Sequence, residues 1–176
     1  MKRALPNLLT SLRLVAAPYV FYLMLKGRYS ELIPLFIAIA ITDALDGYLA
    51  RLWNVPSRIG AFLDPIADKL LLSGSFLFLA LSGGIQTWIA LIVLSRDVGI
   101  LLGALVLYLR GKLHDFPPST TGKISSFTQI LFICFQVGAL SGIAVQPVAA
   151  ILQWAVAAMA VISAADYGRR MWSDPQ

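Results

Sequence analysis

The chain has 176 residues, 59% hydrophobic and 13% charged, about half the charged share of a typical soluble domain. This composition excludes an ordinary soluble globule and points to a single all-α, polytopic membrane domain over residues 1–176, because each bilayer crossing takes about 20 apolar residues. The formal net charge of +5 comes from basic residues scattered over short loops with no aromatic stripe, which argues against nucleic acid and for anionic lipid and topogenesis.

Lys2 and Arg3 open an N-terminal juxtamembrane segment that runs into an apolar stretch ending at Leu25. Arg13 in the middle of that stretch argues against a cleaved signal peptide, so a helix entering the membrane is expected. Lys26 and Arg28 flank a turn over 27–31. A second apolar helix is expected over 32–50, a polar break at Asn54, Pro56 and Ser57, and a third helix over 61–81. Ser82-Gly83-Gly84 is a tight connection without charge. The fourth helix, 85–109, carries Arg96-Asp97 near its middle, and the longest polar stretch follows over 110–122. Helices five and six, 124–143 and 147–164, read as packing and lipid contact, with Gly138 and Gly142 available for close helix approach. The lone Cys134 lies in an apolar run, excludes a disulfide framework and reads as a buried small hydrophobe. Residues 166–176 read as a polar tail.

Six spans place both ends on one side of the membrane. Basic residues at the termini and in the loops on that side, among them Arg51, Arg58, Arg110, Lys112, Arg169 and Arg170, outnumber Lys26 and Arg28 opposite. The positive-inside rule therefore puts both termini in the cytoplasm.

Charges inside the apolar runs carry the chemistry. Asp43, Asp46, Gly47 and Ala50 share one helical face, with Arg51 one position later; Gly60, Asp64 and Asp68, spaced by four, share a face of the next helix. Carboxylates brought together in a membrane repel one another and need a cation between them. With only carboxylate oxygens as ligands, a hard ion such as magnesium or manganese is expected, and two ions sharing bridging acids form a clamp for displacement at phosphorus. Gly47, Ala50 and Gly60 leave the helix backbones open to a bulky ligand. Lys69 either pairs with an acid or snorkels to the surface. Arg96 either forms a structural pair with Asp97 or faces the acidic cavity and holds an anion. Lys123 opens helix five, where a cation beside a helix N-terminus suits phosphate.

The run Asp43-x2-Asp46-Gly47-x2-Ala50-Arg51-x8-Gly60-x3-Asp64-x3-Asp68 resembles the complete signature of the CDP-alcohol phosphatidyltransferases, with every spacing kept. At background residue frequencies such a match arises by chance on the order of once in 10¹⁰ starts. The resemblance implies the fold of that family and transfer of a phosphatidyl group from CDP-diacylglycerol to an alcohol with release of CMP. It further implies metal held by Asp43, Asp46, Asp64 and Asp68, with Asp68 also the general base. Gly47, Ala50, Arg51 and Gly60 are implied at the nucleotide and diphosphate, and Arg96 and Lys123 at the acceptor. A homodimer is implied as well; a bacterial inner membrane is expected, and the motif ends of helices two and three fall on the same cytoplasmic side as the termini.

Pro6-Asn7-Leu8-Leu9-Thr10-Ser11-Leu12-Arg13 is similar to the opening of the family's phosphatidylglycerophosphate and cardiolipin synthases. Ala104 stands where the former carry a second arginine, eight residues after the one matching Arg96, and Arg96-Asp97-Val98 looks more like cardiolipin synthases. Against this, Arg96 and Lys123 suit a phosphate monoester and Arg110 or Lys112 can replace the lost cation, so glycerol 3-phosphate is the expected acceptor and phosphatidylglycerol the alternative. A cation transporter using the acids as its path is the reading from another class, but helices four to six do not repeat the motif as an internal repeat would.

Overall fold

The computed structural model describes residues 4–39, 41, 58–109 and 119–173, with side chains within 15–39, at 41, and within 68–106, 109 and 119–170. Every regular element among them is a helix: α1 Ala4–Leu25, α2 Tyr29–Ile39, α3 Arg58–Leu81, α4 Thr87–Leu109, α5 Thr120–Leu140 and α6 Gln146–Ser173. The motif-bearing end of the second predicted helix lies outside the described residues.

Glycines end three of these helices. Gly27, Gly83 and Gly142 have φ of 67°, 74° and 90°, a left-handed conformation that L side chains resist, directly after α1, α3 and α5. At α1 the backbone closes as a Schellman turn, Gly27 N–H donating to the Met24 carbonyl and Arg28 N–H to that of Leu23. Gly142 is thus a turn residue. A Cβ there would meet nothing within 4 Å, so the expectation that it serves close helix approach is corrected.

The close approach is at Gly74 instead. A Cβ on Gly74 would lie 2.3 Å from Phe21 Cζ, and the Phe21 ring stacks on Phe78 at 4.6 Å between centroids, locking α1 to α3. Gly74→Ala is therefore expected to overpack this contact and cost about 1–3 kcal/mol, read as a lower Tm in detergent. Adding Phe21→Leu should restore part of the loss, and an unchanged Tm in the single variant would contradict the packing.

α3 and α5 run in the same direction. Phe76 stacks on Phe132 at 5.8 Å, and further along Gln136 Nε2 donates to the Gly84 carbonyl at 2.6 Å. α6 returns beside α5 and also packs on α4, where Trp88 meets Trp154 at 5.3 Å. The apolar core fills the half of the bundle next to the glycine turns, with Leu23, Met24, Leu32, Phe76, Ile89, Phe132 and Val156 nearly or fully buried. Opposite the turns lie the first half of α3, the last half of α4, the start of α5 and the end of α6.

Among the described residues, three helices are long and apolar enough to cross a membrane: Thr87–Val106, Thr120–Leu140 and Gln146–Arg170. Their outward faces carry Leu101, Leu105, Phe127, Ile151 and Trp154, exposed apolar side chains suited to lipid. The described part of α2, Tyr29–Ile39, reaches only about 16 Å at 1.5 Å per residue, short of a bilayer.

Two further expectations are corrected. Residues 166–173 are not a polar tail but the last turns of α6, because Asp166 and Arg170 pair along the helix at 3.2 Å and Thr121 of α5 donates to Asp166 at 2.6 Å. Cys134 is exposed on the outer face of α5 rather than buried.

Candidate active site

Of the signature, Gly60, Asp64 and Asp68 are carried on α3 at one-turn spacing, and the Asp68 side chain is exposed. Asp43, Asp46, Gly47, Ala50 and Arg51 lie outside the described residues, as does the side chain of Asp64. Among the described residues no three metal-binding side chains stand together.

Immediately after Asp68, α3 meets a polar layer that crosses the bundle. Lys69 Nζ pairs with Asp97 Oδ1 at 2.8 Å, and Ser73 Oγ donates to Asp97 Oδ2 at 2.6 Å. Arg96 Nη1 reaches Asp97 Oδ1 at 2.6 Å, while its Nη2 and Nε donate to Ser163 Oγ at 2.7 and 3.3 Å. The Arg96 and Asp97 side chains are only 3% and 9% exposed, and Lys69, at 45%, reaches in from the surface. A buried cation is tolerable in apolar surroundings only when paired and hydrogen-bonded, and here one carboxylate gathers Lys69, Ser73 and Arg96. The result ties α3, α4 and α6 together one residue from Asp68. Of the two readings of Lys69, the acid pair is the one formed.

Lys123 sits exposed in the first turn of α5. Ser119 caps that helix by accepting from Gly122 N–H at 2.9 Å, the bond a helix start needs to satisfy an orphan amide. Ser119 also shares a hydrogen bond with Thr121 at 2.6 Å. A Cβ on Gly122 would come within 3.3 Å of the Tyr167 ring and hydroxyl, so glycine lets the end of α6 close onto the start of α5. Asp166, held by Thr121 and Arg170, completes this seam.

Sequence reading gave Ser73, Ser163, Tyr167 and Asp166 no role. A lone hydroxyl in an apolar helix carries no periodic signal, and Asp166 was masked by the charges around it in an assumed tail. The one clue was the i,i+4 spacing of Lys69 with Ser73 on the helix that bears Asp64 and Asp68.

Lys69 and Arg96 of this layer are both engaged by Asp97, and Lys123 is exposed in the first turn of α5. A family model described as CDP-alcohol phosphatidyltransferase matches residues 3–164. A protein named probable phosphatidylglycerophosphate synthase from Mycobacterium tuberculosis (strain ATCC 25618 / H37Rv) is 35% identical, over 97% of this chain and 82% of that protein. The CDP-diacylglycerol–glycerol-3-phosphate 3-phosphatidyltransferase of Bacillus subtilis (strain 168) is 33% identical, over 73% of this chain and 74% of its own. The cardiolipin synthase (CMP-forming) of Homo sapiens is 36% identical, over 60% of this chain and 35% of its own length. With its signature complete in sequence and the family model matched from residue 3 to residue 164, the chain belongs to the CDP-alcohol phosphatidyltransferase family.

Proposed function

We propose that this protein transfers the phosphatidyl group of CDP-diacylglycerol to glycerol 3-phosphate, releasing CMP and giving phosphatidylglycerophosphate. The observation that carries the reading is the unbroken eight-residue signature in a chain whose near full-length relative and Bacillus subtilis relative are both named for that product or reaction. Cardiolipin synthesis from phosphatidylglycerol is the second reading, favoured by Ala104 and by the human relative named for it.

The acceptor hydroxyl attacks the lipid-side phosphorus, its proton passes to an Asp68 carboxylate oxygen, and the phosphorus–oxygen bond to CMP breaks. Asp43, Asp46, Asp64 and Asp68 form an all-carboxylate donor set that fits a hard divalent cation, magnesium or manganese, in one or two sites. Such an ion supplies charge neutralisation at the diphosphate. Arg51 binds diphosphate oxygen, and Gly47, Ala50 and Gly60 admit the nucleotide. Lys123 and Arg96 bind the acceptor phosphate. For Arg96 this means exchanging the neutral Ser163 hydroxyl for a charged oxygen, a stronger partner for guanidinium, while keeping Asp97.

The same reading makes the protein an integral inner-membrane homodimer with six spans and both termini cytoplasmic. There the acyl chains stay in lipid while the head group meets soluble acceptor.

Purified protein supplied with CDP-diacylglycerol and magnesium tests this. CMP release is expected with glycerol 3-phosphate, abolished by chelation and restored by magnesium or manganese. Release with phosphatidylglycerol alone would replace the first reading by the second.

A further inference from the structure

Beyond Lys123, helix α5 carries two buried polar side chains that the mechanism leaves unused. Ser125 and Gln129 are both 0% exposed. Ser125 Oγ, Gln129 Nε2 and Gln129 Oε1 have no hydrogen-bond partner among the described residues. Each buried group left in that condition costs about 1–3 kcal/mol, so a helix that keeps both at adjacent turns of one face needs a reason.

Their position supplies one. Gly122, Ser125, Gln129 and Phe132 lie along the same buried face of α5. Gly122 abuts Tyr167 of α6 at one end of this face, and Phe132 stacks on Phe76 of α3 at the other. Because α3 and α5 are parallel, stepping back from the Phe76–Phe132 contact brings Gln129 level with Ser73 and Ser125 level with Asp68-Lys69. Stepping along α6 from Tyr167 brings Ser125 level with Ser163, the Arg96 partner. The two unpaired groups therefore lie at the level of the polar layer and of the proposed general base.

We infer that Gln129 and Ser125 read a non-reacting hydroxyl of the acceptor alcohol. Gln129 Oε1 needs a donor, and neither a lipid ester nor an ionised phosphodiester has one; the hydroxyls and amine of cytidine belong to the nucleotide, which the reading above places at Gly47, Ala50 and Gly60, whereas an acceptor with a second O–H group satisfies Oε1 and accepts from Nε2 or Ser125. A glycerol moiety has that group, so the inference holds for glycerol 3-phosphate and phosphatidylglycerol alike. It rests on the glycerol-acceptor reading above.

The test compares glycerol 3-phosphate with 3-hydroxypropyl phosphate, which keeps the attacking hydroxyl and the phosphate but lacks the 2-hydroxyl. Phosphatidylglycerol and its propanediol analogue are run in parallel. Wild type is expected to favour the glycerol compound at least about tenfold in kcat/KM. Gln129→Met should bring the two within about threefold, raise KM for the acceptor and leave that for CDP-diacylglycerol unchanged, while Tm holds or rises because an unpaired buried amide has been removed. Ser125→Ala, a smaller change, should shift the ratio in the same direction. A variant that retains the wild-type ratio overturns the inference, as does one that loses both acceptors equally with a lower Tm, the mark of a structural role. Wild-type protein inactive with either glycerol acceptor would instead overturn the glycerol reading itself, and this inference with it.

Discussion

Asp68→Asn is expected to lower CMP release by about 10²–10⁴-fold, the range associated with loss of a general base, while Tm in detergent stays within a few degrees. The stability half follows from position: Asp68 is exposed on α3, outside the apolar core, and the neighbouring Lys69 is anchored independently by Asp97. The activity half follows from the proposal that one carboxylate both takes the acceptor proton and helps hold the cation. Asp46→Asn, which removes a proposed ligand but no base, should fall by a similar factor. Turnover within tenfold of wild type in either variant, measured at saturating magnesium, would refute the role assigned to that residue.

The second large effect is on stability. Asp97→Ala removes the single carboxylate shared by Lys69, Ser73 and Arg96 and strands a guanidinium that is 3% exposed. Breaking a buried ion pair from one side costs about 3–5 kcal/mol, so a Tm drop of roughly 10 °C is expected. Replacing both partners, as in Arg96→Met with Asp97→Leu, should recover most of the stability, since a hydrophobic pair carries no desolvation penalty. The double variant then isolates the proposed role of Arg96: KM for glycerol 3-phosphate should remain raised despite restored stability. A double variant with wild-type KM would make Arg96 purely structural, and an Asp97→Ala protein of unchanged Tm would contradict the layer altogether.

The chemistry of this chain was legible because it is written in residues a membrane segment cannot carry idly. Four aspartates at helical spacing inside apolar runs, with the small residues between them, spell out the family signature; the cation and bulky ligand expected from them belong to the proposal. Helices announce themselves equally well through long apolar runs, and the Ser82-Gly83-Gly84 turn was plain from its glycines. The misread features each depended on a partner from elsewhere in the chain. Asp166 through Ser173 looked like a tail because their charges end the apolar run; Thr121, forty-five positions away, and Arg170 hold Asp166 on a helix. Gly142 looked like a packing glycine, but φ, which sequence does not display, makes it a turn, while Gly74 received its role from Phe21. Ser163 and Gln129 sat among alanines and leucines as apparent filler. A hydroxyl or amide in a spanning helix acquires meaning only when the opposing helix is known, as Arg96 does for Ser163.

The proposed reaction depends on attack at the lipid-side phosphorus of CDP-diacylglycerol. The most direct test follows phosphorus labelled at that position through a single turnover with glycerol 3-phosphate and magnesium. All label is expected in phosphatidylglycerophosphate, with unlabelled CMP released in equal amount. Label appearing in phosphatidate, with cytidylylated glycerol 3-phosphate formed in place of free CMP, would put the attack at the other phosphorus and contradict this.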